Sequence, residues 1–342
     1  MNAATPLRPP FARHRRSDFD VTNAVQVSST EAVTRAVAEL FAAEWPGLPF
    51  EPIATALQTF DLLFTGRLSG YNGVDTIYHD RQHTLDVVLA MARLLVGHER
   101  TVGPEERLGY ERAAMALVTA TFHDAGYIRE SGDPAPNGAL YTTSHVSRSA
   151  RFLARFMPTI GMREWVPIAT RIVHFSGYEI PFTDIEVADP RDRRAGHLLG
   201  TADLIAQMAD RCYLEKCRDR LYPEFVLAGV ATDVGADGEL KIRFASGLDL
   251  LRQTPNFVAT MMRERLDGEF AGAYRYVECL YEGANPYMLA IRQHLVFLQQ
   301  ILKTENWRLL RRNPPIFTLD PNPLPSVRQL MLVHLRELWG RG

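Results

Sequence analysis

The sequence predicts an all-α protein with at most one small β-hairpin. Apolar residues recur at three- and four-residue spacing along most of the chain from Ser28 onward, and helix-start residues precede several of these runs. Strand-like patterning is confined to one segment, Asp233 to Phe244, which can fold back at Asp237-Gly238.

The first helix follows Ser28-Ser29-Thr30-Glu31, a capping box, and carries Val33, Val37, Leu40, Phe41 and Trp45 on one face. The same spacing predicts helices over His83 to Val96, Pro104 to Phe122, Ser144 to Met157 and Glu164 to His174. Further helices are expected over Gly196 to Leu221, Asn285 to Lys303 and Ser326 to Trp339. Pro104, followed by Glu105 and Glu106, suits the first turn of its helix. Residues 1–20 contain Pro6, Pro9 and Pro10 and read as a flexible tail; they lack the apolar core of a secretory signal.

The 342 residues are 46% hydrophobic and 23% charged, which excludes a largely disordered or fibrous chain. Thirty-eight basic against forty acidic side chains, a net charge of -2, give no electrostatic case for nucleic acid or an anionic membrane. No run approaches the ~18 apolar residues that a membrane helix needs. Three cysteines cannot all pair, and the expected location is a reducing cytoplasm. Cys212 and Cys217 would point about 140° apart on a helix, which argues against a shared zinc.

The histidines carry the chemistry. His79 and His83 stand four apart and share a face if Tyr78-His-Asp-Arg-Gln-His is helical, although histidines hydrogen-bonded at a helix start fit the same spacing. The apolar run Leu117-Val-Thr-Ala-Thr-Phe leads into adjacent His123 and Asp124, then Gly126. Neighbouring side chains diverge by about 100° inside a helix but can converge where it unwinds before a glycine. An imidazole nitrogen beside a carboxylate oxygen suits Zn, Mn, Fe or Mg, and the two oxygens of Asp124 can bridge two ions. His145 opens one predicted helix and His174 closes another. Asp203, flanked by Ala202, Leu204 and Ile205, sits where an acid without a partner or a metal would be costly.

His83, the His123-Asp124 pair, His145, His174 and Asp203, in this order on helices, resemble the HD-domain superfamily of metal-dependent phosphohydrolases. Tyr78-His-Asp-Arg-Gln-His-Thr-Leu-Asp-Val and Thr201-Ala-Asp-Leu are also similar to motifs of class I cyclic-nucleotide phosphodiesterases. Closer still, Tyr78-His-x-x-x-His-Thr-Leu, His123-Asp-x-Gly-Tyr and Asp203-Leu-Ile-x-Gln-Met-Ala-Asp-x-x-Tyr-Leu-Glu-Lys resemble a bacterial family of uncharacterised HD metalloproteins. The likeness covers about residues 75 to 225.

The resemblance implies a phosphodiesterase-like HD helical bundle. Residues 21–225 would form the metal-binding domain, and residues 226–342 a helical extension packed on the same body. It implies two divalent ions (Fe, Mn, Zn or Mg), the first held by His83, His123, Asp124 and Asp203. Asp124 would bridge to the second, held with His145 and His174. A metal-bridging hydroxide would attack phosphorus in line, and His79 would protonate the leaving oxygen. The partner implied is a small-molecule phosphate ester, most closely a nucleotide-type phosphodiester. Arg81 and Arg129 flank the motifs and can bind phosphate bidentately.

Cyclic-nucleotide phosphodiesterases carry a second histidine three residues after the aspartate, where this chain has Tyr127. Their purine-holding glutamine precedes a phenylalanine by three residues; the nearest candidates here are Gln253 and Phe257, four apart. Tyr127, Gln253 and Phe257 complete the expected substrate contacts. The same ligand order also resembles HD-fold di-iron oxygenases such as the inositol oxygenases, which place a lysine where Tyr127 stands. A catalytically idle, ligand-binding HD module is the third alternative.

Overall fold

In the computed structural model, which describes residues 15–234 and 239–339, one helix runs through the centre of the molecule. Twelve α-helices and one two-stranded sheet make up the described residues. In chain order they are α1 (Thr30–Glu44), α2 (Glu51–Phe64), α3 (Arg81–Thr101), α4 (Gly109–Thr121), α5 (His145–Phe156) and α6 (Val166–Ile172). Then follow α7 (Pro190–Ala209), α8 (Tyr213–Lys216), α9 (Tyr222–Leu227), α10 (Gly247–Thr260), α11 (Pro286–Thr304) and α12 (Leu324–Trp339). Every residue of α3 from Gln82 to Glu99 is buried, because α1, α4, α7 and the 3-10 turns of Ala273–Leu280 surround it. A helix so enclosed lacks the polar stripe of a surface helix.

The sheet is the expected hairpin: β1 (Thr232–Val234) pairs antiparallel with β2 (Leu240–Ile242), with Thr232 opposite Ile242. Its turn at Asp237-Gly238 lies outside the described residues. No helix among the described residues is long and apolar enough to cross a membrane.

Several expected boundaries are corrected. Of the tail, residues 1–14 lie outside the described residues, but residues 15–20 are anchored. Arg15 donates to the Ala209 carbonyl at 2.7 Å, and the buried Asp20 pairs with Arg93 of α3 at 2.6 Å. Pro104–Glu106 forms a separate single turn, and α4 starts only at Gly109. The helix expected from Gly196 to Leu221 is two: α7 starts earlier, at Pro190 behind the cap Asp189, and the chain turns at Asp210. Beyond the turn, α8 passes through a π-helical turn, Cys217–Leu221, into α9.

Besides α9, which lies just beyond the expected end at Leu221, two helices fall where the spacing predicts none. In α2, Ile53, Leu57, Phe60 and Phe64 make a regular buried stripe, but Phe50 supplies no capping side chain to mark its start. In α10 the internal Pro255 disguises the period, and the helix continues as a π-helical stretch, Met261–Glu269. The late helices touch the body: α11 packs on α7 and α12 on α9. Val327 of α12 joins Leu227, Ile77 and Ala139 in a small apolar cluster beneath the loop that carries His79.

Candidate metal centre

Four elements bring their functional side chains to one point. Asp80 caps α3, its carboxylate accepting from the His83 amide at 3.1 Å. That places His83 in the first turn and leaves His79 outside the helix, so the two histidines do not share a helical face as expected. α4 ends at Thr121, and the chain unwinds through His123 and Asp124 into a 3-10 turn, Ala125–Tyr127. Here the expectation from Gly126 is met: a Cβ on it would lie 1.8 Å from the His145 carbonyl oxygen, so only glycine lets α5 approach. Glu179 holds the start of α5, accepting from the amides of Val146 at 2.6 Å and Ser147 at 3.0 Å.

Asp124 is the hub. Its Oδ2 lies 3.4 Å from His83 Nε2 and 3.3 Å from His123 Nε2, while its Oδ1 lies 3.6 Å from His145 Nε2. Asp203 of α7 places Oδ1 3.4 Å from His83 Nε2 and 3.9 Å from His123 Nε2. One donor atom from each of His83, His123 and Asp203 falls within 4.8 Å of the others, so this buried group can bind a metal ion. Two further observations fit that role. His123 Nε2 and Asp124 Oδ2 are buried without a hydrogen-bond partner, a costly arrangement unless something else satisfies them. Two donors each about 2.1 Å from one ion stand roughly 3.0–3.4 Å apart at angles near 90–110°, which matches the closest separations here.

Backbone carbonyls set the tautomers. Ala120 O faces His123 Nδ1 at 2.8 Å and Thr142 O faces His145 Nδ1 at 2.7 Å. Each Nδ1 therefore donates, so Nε2 is the atom that each ring turns toward Asp124. Burial lowers the basicity of His145 and of the half-buried His174, favouring the neutral form that ligates a metal. The Nδ1 of His174 is buried without a partner. For His83, burial works against protonation, but the adjacent carboxylates of Asp124 and Asp203, each 3.4 Å away, outweigh it and bring its pKa from 6.5 to about 10. Burial likewise opposes a charge on Asp124, yet the neighbouring imidazoles, His123 first, hold it well below the ordinary carboxylate range.

A pH signature follows for the metal-free protein. The folded pKa of His83 lies above its unfolded value, so its contribution is full below 6.5 and is lost as pH rises toward 10. Metal-depleted protein should lose on the order of a few kcal/mol of stability across that window. A bound cation replaces the His83 proton, so metal uptake near pH 8 should release a proton and remove this loss. Denaturant titrations with and without chelator, together with calorimetry in buffers of different ionisation heat, check both. A flat metal-free profile from pH 6.5 to 10 would contradict the assignment.

The structure places the other expected residues as follows. His79 lies at the rim, its side chain 16% exposed, with Nδ1 2.6 Å from Glu224 Oε2. Glu224, 1% exposed, also accepts from the Tyr78 amide at 2.6 Å. Tyr127 is 1% exposed and packs its ring against both His79 and His145, 4.4 Å from each; it braces two imidazoles and is not an accessible substrate contact. Arg81 donates to Asp61 at 3.2 Å and to the Ser28 carbonyl at 3.0 Å, lining a groove between α1 and α2 away from the cluster. Arg129 is taken up by Asp75 at 2.8 Å and the Ala135 carbonyl at 2.7 Å. Gln253 and Phe257 sit on the exposed face of α10, where Gln253 donates to the Arg243 carbonyl at 3.1 Å; neither contacts the cluster.

Glu224 was missed by sequence reasoning. The signal was there: an acid within Leu221-Tyr-Pro-Glu-Phe-Val-Leu stands in the same apolar context that singled out Asp203. Comparison with protein-family models, curated proteins and solved structures gives no match for this chain.

Proposed function

We propose that this protein is an HD-type metal-dependent phosphohydrolase acting on a phosphate ester, with a nucleotide-type phosphodiester as its substrate class. The observation that carries the reading is the pair of unpartnered buried acceptors, His123 Nε2 and Asp124 Oδ2, set among His83, Asp203 and His145. His83, His123, Asp124 and Asp203 would hold one divalent ion; Asp124, His145 and His174 would hold a second. When bound, the ions supply an acidified water and offset charge on the non-bridging phosphoryl oxygens.

The chain's own residues supply the rest. Glu224 accepts the Nδ1 proton of His79, which leaves Nε2 as the atom that holds a proton for the departing oxygen. Stacking on Tyr127 fixes the plane of the His79 ring, so the proton donor and His145 keep a constant separation. This donor favours hydrolysis over oxygenation, because a departing alkoxide needs a proton and the His79–Glu224 pair is built to give one.

Elemental analysis of protein purified without added metal, paired with hydrolysis of bis-p-nitrophenyl phosphate and a set of nucleotide diesters, tests the reading. Ester cleavage that chelation abolishes and divalent metal restores is the expected result. Two irons per chain with oxygen-dependent turnover and no ester cleavage would replace the hydrolase with an oxygenase.

A further inference from the structure

Arg265 differs from the arginines named so far. It lies in the π-helical stretch that extends α10, is 8% exposed, and has no carboxylate within ion-pair distance among the described residues. Arg81 and Arg129, by contrast, are each neutralised by an aspartate. Burying a guanidinium without a counter-charge is expensive, and burial indeed pulls the pKa of Arg265 below the arginine value. Such a group persists where something else stabilises it or where it waits for an anion.

Its surroundings fix it as a flat, pre-oriented fork. The guanidinium carbon lies 3.7 Å from the centroid of the Tyr178 ring and 4.6 Å from that of Phe182. Nη2 donates to the Gly177 carbonyl at 2.9 Å. None of its remaining donors is among the buried polar atoms without partners, so they reach accessible space. Tyr178, 65% exposed, forms the outer wall, with its hydroxyl 3.2 Å from Met261 Sδ.

The location ties this fork to the metal centre. Gly177 follows His174 by three residues, and a Cβ on it would lie 2.5 Å from Val146 Cγ2. The turn bearing the Gly177 carbonyl is therefore pressed against the first turn of α5, directly beside His145. The π-helical stretch also packs on α7, which carries Asp203. π-Helical irregularities are frequent at functional sites, since they re-aim one side chain without ending the helix.

We propose that Arg265, braced by Tyr178, is an anion-binding subsite beside the metal centre and takes a phosphate group of the substrate. The assignment rests on the phosphohydrolase reading for the identity of its ligand. A guanidinium with free, coplanar donors matches two oxygens of one phosphate; a lysine at the same place would offer a point charge. The stacked aromatic rings hold the fork in place, so little rotamer freedom is lost on binding.

The test uses metal-loaded and chelator-treated protein with inorganic phosphate as probe and acetate as the carboxylate control, measured by calorimetry. Arg265→Met keeps the length and apolar packing of the side chain. It should weaken phosphate binding roughly 10- to 100-fold in both metal states, the worth of a charge-assisted hydrogen-bonded pair, while leaving metal content unchanged. Arg265→Lys should recover only part of the loss. If Arg265→Met fails to fold, Arg265→Lys alone decides: a folded lysine variant that binds phosphate as tightly as wild type overturns the proposal. Unchanged binding in Arg265→Met overturns it as well, and so does acetate binding as tight as phosphate. Because binding is read without turnover, Arg265-dependent phosphate binding in a protein that cleaves no ester would sink the hydrolase reading and leave the subsite standing.

Discussion

Asp124→Ala should leave the protein with little or no bound metal, and hydrolysis should fall by on the order of a thousandfold or more. Asp124 is the carboxylate that touches three imidazoles, at 3.4 Å, 3.3 Å and 3.6 Å for His83, His123 and His145. No neighbour can replace it, since Asp203 approaches only His83 and His123. His174→Ala removes a proposed ligand of one ion only, so it should retain about half the wild-type metal. The variant should also change the metal-free protein. With Asp124 gone, one of the two carboxylates that keep His83 protonated is lost, and the decline in stability between pH 6.5 and 10 should shrink. Metal counts on the three proteins, with melts across that pH range, give a direct check. An Asp124→Ala protein that keeps two metals and an unchanged melting temperature would end the two-metal interpretation.

His79→Ala should act on the reaction without acting on the metal. None of its ring atoms lies within ion-pair distance of Asp124 or Asp203; its partner is Glu224. Loss of a general acid costs about 10²–10⁴ in rate when the leaving group is a poor one such as an alkoxide. An ester of p-nitrophenol needs far less protonation, so its hydrolysis should suffer much less. Glu224→Gln keeps the shape but weakens the acceptor for His79 Nδ1, and should reproduce part of the His79 loss with the same leaving-group dependence. Equal losses on both kinds of ester would remove His79 from proton transfer and leave it a structural role.

The sequence made the helical architecture and the candidate residues His83, His123, Asp124 and Asp203 legible because both depend on local spacing. The capping serine of α1, the apolar stripe of α5 and the unwound end of α4 all follow from neighbours within a few residues. What stayed hidden depends on contacts between distant segments. Glu224 matters only because α9 returns to the loop of His79, a juxtaposition across 145 residues. Arg265 sits in Met261-Met-Arg-Glu-Arg-Leu-Asp, where alternating charges read as a solvated helix face. Its burial comes from Tyr178 and Phe182, which belong to another turn of the chain. Arg81 and Arg129 illustrate the reverse: sequence nearness to the motifs suggested phosphate contacts, but Asp61 and Asp75 claim both side chains.

The cap at Asp80 has a consequence for how this centre could be altered. The rings of His79 and His83 are 5.8 Å apart and nearly perpendicular, at 87°. They answer to different carboxylates because the helix begins between them. Within a continuous helix, the same four-residue spacing would bring both imidazoles onto one side, where they could chelate a single ion. On the proposed roles, Asp80 is thus a switch point between two inventories: one proton donor with one ligand, or two ligands with no donor. Redesign that lets α3 wind back by a turn offers a route from the proposed hydrolytic centre to a tighter, chemically silent metal store.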